Sequence, residues 1–338
     1  LTVARDLLTE SGSIFVQIGD ENEHRVRMVL DEVFGGGNFI SNIIFRKTSG
    51  QASNFLPGIY DQILWYAKSR ESAKYRALFG VLGEGVSDDS YNCIENSDGS
   101  WRRLTSSEMP SASDRRFRTA NLTSQGSSEV GSAPFAFEGK IYAPSKGNHW
   151  KPSRPGLIRL GKANRLLGVG NTLTYRRYLN DFPISYYNNI WADTIESTFT
   201  AQKLYVVQTG TKVVDRCLLM ASDPGDLVLD PTCGSGTTAF VAEQRGRRWI
   251  TIDTSRVALA LARARIMGAR YPFYLLADSR DGQRKEAEIT RSEPSSAVPR
   301  GDVRHGFVHE RVPHVTLKSI ANNAEVDVIW EGSQRALD

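Results

Sequence analysis

The chain has 338 residues, 40% of them hydrophobic and 24% charged, with a net charge of +4. Those proportions describe a globular protein of one large domain or two ordinary ones. No run approaches the roughly eighteen apolar residues of a membrane-spanning helix. Three cysteines (Cys93, Cys217 and Cys233) are too few for a disulfide framework and wrongly spaced for zinc. His24, His149, His305, His309 and His314 show no ligand spacing either, so no metal is expected. The expected location is intracellular and reducing. Residues 1–20 lack a basic segment leading into an apolar one, so they are not a secretory signal. A chain starting at Leu1 reads as a piece of a longer product.

Residues 3–10 read as the end of a helix stopped by Gly12, and Ser13 to Ile18 as a short strand. Val26, Val29, Leu30, Val33 and Phe34 recur at helical spacing over 22–34, and Gly35 to Gly37 break that helix. Phe39 to Phe45 and Asp61 to Ala67 are strands, rich in aromatic and β-branched residues. Strand, helix, strand and strand suggest half of an α/β sheet. From 81 to 135 the sequence turns to Gly, Ser, Asn and Asp, an irregular insertion or a partly flexible one. Aromatics crowd 135–190, interleaved with lysines and arginines.

Charge is uneven. Residues 101–180 hold 14 Lys/Arg against 4 Asp/Glu, a balance of +10, which leaves −6 for the rest. Such a segment suits a polyanion, through phosphate pairing and base stacking, although an ordinary solvated basic face has the same composition. Trp150, Trp191 and Tyr142 could stack on bases or build a core.

Order returns with a helix at Val213 to Ala221 and a turn at Asp223-Pro224-Gly225. Three strands are then expected, Leu227 to Leu229, Trp249 to Ile252 and Phe273 to Leu276. Each is followed by an acid: Asp230, Asp253 and Asp278. Helices from Thr237 to Gln244 and from Ser255 to Ile266 separate them. This is a βαβαβ unit with acids along its carboxyl edge. Residues 281–304 read as a polar linker, and 306–330 turn apolar again.

The first of these strands runs into Pro231-Thr232-Cys233-Gly234-Ser235-Gly236-Thr237-Thr238. Small residues let backbone approach a ligand, and a helix N-terminus offers free N–H groups. A triphosphate-binding loop needs GxxxxGK[ST], and no lysine is present. A dinucleotide fingerprint needs GxGxxG, but residue 239 is Ala239. Asp230 would repel a pyrophosphate and suits a positive centre. Asp253 can accept from both ribose hydroxyls, and Asp278 could meet an adenine amine. Together these demands describe S-adenosyl-L-methionine. Cys233 need not be a nucleophile. Asp20 either shapes the amino-acid end of that pocket or simply caps the following helix.

The segment Asp230 to Thr238 resembles the cofactor motif of the amino DNA methyltransferases. More closely, it resembles the circularly permuted β class that contains the modification subunits of type III restriction systems. Residues 6–42 resemble the stretch after that class's catalytic motif, residues 60–68 a later strand, and residues 211–238 its helix, turn and loop. The class usually has Phe where Thr232 stands. The resemblance implies a doubly wound mixed sheet of the methyltransferase type, with an inserted target-recognition region. It divides the chain into a catalytic half at 1–79, target recognition at 80–190, a cofactor half at 191–280, and a linker with an extension at 281–338.

S-adenosyl-L-methionine is the implied cofactor, held by Asp230, Pro231, Thr232, Gly234, Ser235, Gly236, Thr237, Asp253, Asp278 and Asp20. The implied reaction is site-specific methylation of the adenine exocyclic amine in DNA. Cytosine-amine methylation and a non-catalytic DNA-binding scaffold remain open. The class's catalytic motif, [DNS]PP[YFW], has no counterpart here, since the chain contains no Pro-Pro pair, and it is expected upstream of Leu1. Double-stranded DNA is the implied partner, with Arg102, Arg103, Arg115, Arg116, Arg118, Lys151, Arg176 and Arg177 as its contacts. A restriction subunit and a homodimer are further implied associations, the membrane is not, and the implied compartment is the cytoplasm.

Overall fold

The computed structural model describes residues 1–48, 54–83, 87–105, 108–111, 113–126, 128, 130–195 and 209–335. The chain divides into two compact units. One is Leu1–Gly80 with Tyr186–Arg311, and the other is Val81–Ser185 with Val312–Asp338.

The first unit is built on a mixed four-stranded sheet, ordered Ser13–Ile18, Tyr60–Ala67, Phe39–Arg46, Ile190–Trp191. The first three strands pair antiparallel, and Ile190–Trp191 runs parallel to Phe39–Arg46. Tyr60–Ala67 is apolar on both faces, as a strand covered on both sides must be. Its Ile63 and Trp65 join Val213, Cys217 and Met220 of the helix Thr211–Ala221 in one core. Its Leu64 and Tyr66 pack with Leu30 and Phe34 of the helix Asp20–Phe34 in another. That helix carries Asp20, Glu21 and Glu23 in its first turn, where the helix dipole favours acids. Trp191 is fully buried and belongs to the core.

The same unit holds a βαβ crossover. Strands Leu227–Asp230 and Arg248–Thr251 run parallel, joined through the helix Thr237–Gln244. The helix Arg256–Gly268 follows, its N-terminus capped by Ser255 Oγ, which accepts from Ala258 N at 3.3 Å.

Two expectations need correction here. Phe273 to Leu276 is not a strand: only Leu276 bridges to Phe307, and Phe273 is 88% exposed, with no sheet face to cover it. Among the described residues two strands, not three, therefore lead to aspartates along this edge, Leu227–Asp230 ending at Asp230 and Arg248–Thr251 two residues before Asp253. Residues 281–304 are not simply a linker, because Arg280–Thr290 is a helix. Ser279 caps it by accepting from Gly282 N at 3.0 Å, a local signal that the charge-rich composition masks. Pro294 and Pro299 lie only beyond it.

The second unit is a five-stranded antiparallel sheet in the order Leu166–Val169, Thr172–Tyr178, Arg115–Asn121, Cys93–Glu95, Trp101–Arg103. One face packs Cys93, Phe117, Leu167 and Tyr178. At one end of the other face, Leu166, Leu173 and Tyr175 meet Leu157 and Leu160 of the helix Arg154–Lys162. Trp150 and Tyr142 lie in this same core. Asp327 of the helix Glu325–Arg335 accepts from Arg159 and Lys162, both at 2.8 Å, fastening the C-terminal helix to this unit.

Candidate cofactor loop and nucleic-acid face

Parallel pairing sets Asp230 opposite Thr251, so Asp230 and Asp253 reach the same sheet edge. The loop between strand and helix crosses that edge. Cys233 N donates to Ile252 O at 3.0 Å, and Gly236 N to Cys233 O at 2.8 Å. Gly234 and Gly236 both take positive φ, 50° and 76°. A Cβ on Gly236 would stand 2.7 Å from Ala262 Cβ, so glycine is what lets the loop lie against the next helix.

Asp253 clips this loop from the side. Its Oδ2 accepts from Gly234 N at 2.9 Å and its Oδ1 from Ser255 N at 2.8 Å. The Ser255 and Gly234 amides hold its carboxyl below the usual range. Each carboxylate oxygen keeps a further lone pair, so the acid can still accept from a diol. Asp230 Oδ1 accepts from Thr232 N at 3.0 Å, a local turn, and its Oδ2 has no partner among the described residues. Pro231 and Thr232 are exposed.

The other expected cofactor residues divide differently. Ser235 and Thr237 are buried, and their hydroxyls accept from Arg265 Nη1 at 3.3 and 2.9 Å. Their side chains thus tie the loop and the first turn of the helix Thr237–Gln244 to the helix Arg256–Gly268. Asp278 is 7% exposed, and its Oδ2 accepts from the amides of Asp302 and Arg300 at 2.9 and 3.2 Å. Those amides hold its carboxyl low, and it organises the 300–302 turn. Asp20 is exposed in the first turn of its helix, where Oδ1 accepts from Glu21 N at 3.0 Å, and the N-cap position is Gly19, with no side-chain cap. Sequence reasoning missed Arg265 and Ala262, which hold and shape the loop from a helix one crossover later. Among the described residues no group of His, Cys, Asp and Glu is placed to hold a metal, and no helix is long and apolar enough to cross a membrane.

The basic residues of the second unit also sort by geometry. Two of the expected DNA contacts are corrected. Arg116 is buried, donating to Asp88 Oδ2 at 2.5 Å and Tyr91 O at 3.1 Å. Arg176 is 6% exposed and donates to Glu95 Oε1 at 2.8 Å. Both lie inside the unit because an adjacent acid compensates their charge there. Arg115 is exposed, paired with Glu95 at 2.7 Å and lying over the Tyr178 ring. Arg102 is exposed and bidentate on Glu108. Arg103 and Lys151 are exposed, Lys151 donating to Asn121 O at 3.0 Å. Arg118 and Arg177 are half-buried, side by side on neighbouring strands.

Residues 1–264 match the N6_N4_Mtase family, DNA methylase. The chain belongs to that family. Among its relatives, the Type II methyltransferase M.EcaI of Enterobacter cloacae is 27% identical over 279 residues, which cover 80% of this chain and 57% of that protein. The type III restriction-modification enzyme StyLTI Mod subunit of Salmonella typhimurium is 25% identical over 280 residues, covering 77% of this chain and 40% of that protein. The chain thus spans little more than half of the first and less than half of the second.

Two solved structures are similar at a TM-score of 0.37, too loosely to carry an argument. The M1.HpyAVI–SAM complex is 12% identical, covering 78% of each chain. PvuII DNA methyltransferase (cytosine-N4-specific) is 13% identical, covering 78% of this chain and 66% of that one.

Proposed function

We propose that this DNA methylase uses S-adenosyl-L-methionine to methylate the exocyclic amine of adenine at specific sites in double-stranded DNA, within a restriction-modification system. The observation that carries the reading is the loop Asp230–Gly236, crossing the edge of two parallel strands with a carboxylate on either side and no lysine. The residues present fit that cofactor. Positive-φ glycines keep the loop free of side chains, Asp230 Oδ2 is open toward a cationic group, and Asp253 keeps acceptor capacity for ribose hydroxyls. When bound, the cofactor supplies an electrophilic methyl carbon.

The chain's own part is positional. Holding donor and acceptor in line removes the entropy of a bimolecular encounter, a large share of such a barrier. The second unit would bring DNA to the reaction through exposed cations, Arg103 and Lys151 among them. The compartment consistent with this role is the cytoplasm, and a restriction subunit and a second copy are its partners in the same reading.

The test is mass spectrometry of nucleosides from DNA treated with the full-length enzyme. N6-methyladenine is the expected product. Methylated cytosine alone would replace the adenine assignment. Cofactor binding without any methylated base would leave a DNA-binding scaffold.

A further inference from the structure

The sheet of the second unit carries six arginines on its three longer strands and their flanks. Four have acids. Arg115 and Arg176 share Glu95, Arg116 has Asp88, and Arg165 is bidentate on Asp181 at 2.6 and 2.9 Å. Arg118 and Arg177 have none among the described residues.

These two are direct cross-strand partners, Arg177 opposite Arg118. Directly opposed residues have Cβ atoms roughly 5 Å apart, and like charges so placed are destabilising. Both Nε atoms are buried without a hydrogen-bond partner. Tyr175, two residues before Arg177 and so on the same face, has a buried hydroxyl with no partner either. Burial pushes its phenol up, so it remains a donor. Arg118 lies over the Tyr91 ring, 5.3 Å from its centroid, which fixes the plane of the guanidinium. A fold that supplies acids to the surrounding arginines leaves this pair without one; an unmet Nε alone does not mark the pair, since Arg176 Nε is unmet too although Arg176 has Glu95.

We propose that Arg118 and Arg177 together seat a single backbone phosphate of DNA. The inference rests on the DNA reading above and adds a defined anion seat to it. A phosphodiester presents two anionic oxygens to two guanidinium forks. It offsets their mutual repulsion.

The test compares wild type, R118Q, R177Q, the double variant R118Q/R177Q and the lysine control R118K/R177K in the full chain. Fluorescence anisotropy with a duplex is read across a salt series. One lost phosphate contact flattens the log–log salt slope by about 0.9. The double variant is expected to lose that much, with the two single losses not adding, and the lysine control to keep most of the slope. Without DNA, R177Q is expected to melt no lower than wild type, because it removes an unpaired charge. A purely structural arginine would lower it.

An unchanged slope in the double variant overturns the seat while leaving DNA binding intact. A loss of about 1.8, half from each single variant, means two separate phosphates and overturns it as well. A wild type whose DNA binding shows no salt dependence overturns the DNA reading itself, and the seat with it.

Discussion

Asp253 and Gly234 are nineteen residues apart, yet the carboxylate of one accepts the amide of the other at 2.9 Å. The bond ties the glycine loop to the segment just past the neighbouring parallel strand, so one acid shapes the loop to which the proposed function assigns the cofactor. Replacing Asp253 with alanine removes that bond and the bond from Ser255. Hydrogen bonds to a charged group are the stronger kind, so S-adenosylhomocysteine should bind roughly tenfold more weakly to the variant. The Asp253→Asn variant keeps one acceptor and should fall between. Calorimetric titration decides it, and an alanine variant binding like wild type would remove Asp253 from the site.

The same geometry fixes a pH response. The Ser255 and Gly234 amides depress the carboxyl of Asp253 in the folded loop. A depressed carboxylate contributes its stabilisation fully above its unfolded pKa, and loses it as pH falls through the lower folded value. Affinity for S-adenosylhomocysteine should therefore be level, on this acid's account, from about pH 8 to about 5, and fall only below about 4. Titrating wild type and Asp253→Asn across that range isolates the effect. A wild-type decline already complete at about pH 5, absent from the asparagine variant, would mean that the clip is not made.

Gly236 tests the packing of the loop. Its φ of 76° and the 2.7 Å approach of an added methyl to Ala262 Cβ are separate penalties for alanine. The left-handed backbone costs about 1–2 kcal/mol, and overpacking about 1–3 kcal/mol. Gly236→Ala should lower the unfolding midpoint accordingly. Adding Ala262→Gly should recover the packing part and leave the backbone part. Urea denaturation of the three proteins measures both, and full recovery in the double variant would show that the backbone penalty is absent.

The cysteines give a chemical probe. All three are buried, and burial pushes the Cys217 thiol up to about 12 and raises that of Cys93. Only the thiolate attacks an alkylating reagent. Iodoacetamide at about pH 8 should therefore label none of them quickly until urea unfolds the chain. Rapid labelling of Cys233 alone, followed by peptide mass spectrometry, would mean that the glycine loop opens in the native protein.

Much of the first unit was legible because its signals are local. The run Asp61 to Ala67 reads as a strand from its aromatic and β-branched residues, and DPG before Leu227 with Gly234 and Gly236 after it brackets a strand and loop whatever lies elsewhere. What failed depended on partners distant in sequence. Phe273 to Leu276 has the composition of a strand but no neighbour to complete it, and Leu276 finds only Phe307. Arg116 and Arg176 look like surface cations until Asp88 and Glu95 are brought beside them, from 28 and 81 residues away. Composition reports how much charge a segment carries, whereas tertiary pairing decides which charges are left to meet a ligand.

Glu95 is where that pairing can be weighed. It is 7% exposed and accepts from Arg176 Nη1 at 2.8 Å, Tyr178 Oη at 2.9 Å and Asn164 Nδ2 at 2.9 Å, with Arg115 as a fourth donor. Removing one member of a buried pair leaves the other charge uncompensated and costs about 3–5 kcal/mol. Glu95→Ala should therefore destabilise the second unit by that much, in a transition distinct from the first unit's, which S-adenosylhomocysteine binding reports. Adding Arg176→Met to Glu95→Ala should restore part of the loss by removing the stranded guanidinium. If Glu95→Ala alone costs under about 1 kcal/mol, the pair is no more than a surface bridge in energy, and Arg176 returns to the candidates for contact with DNA.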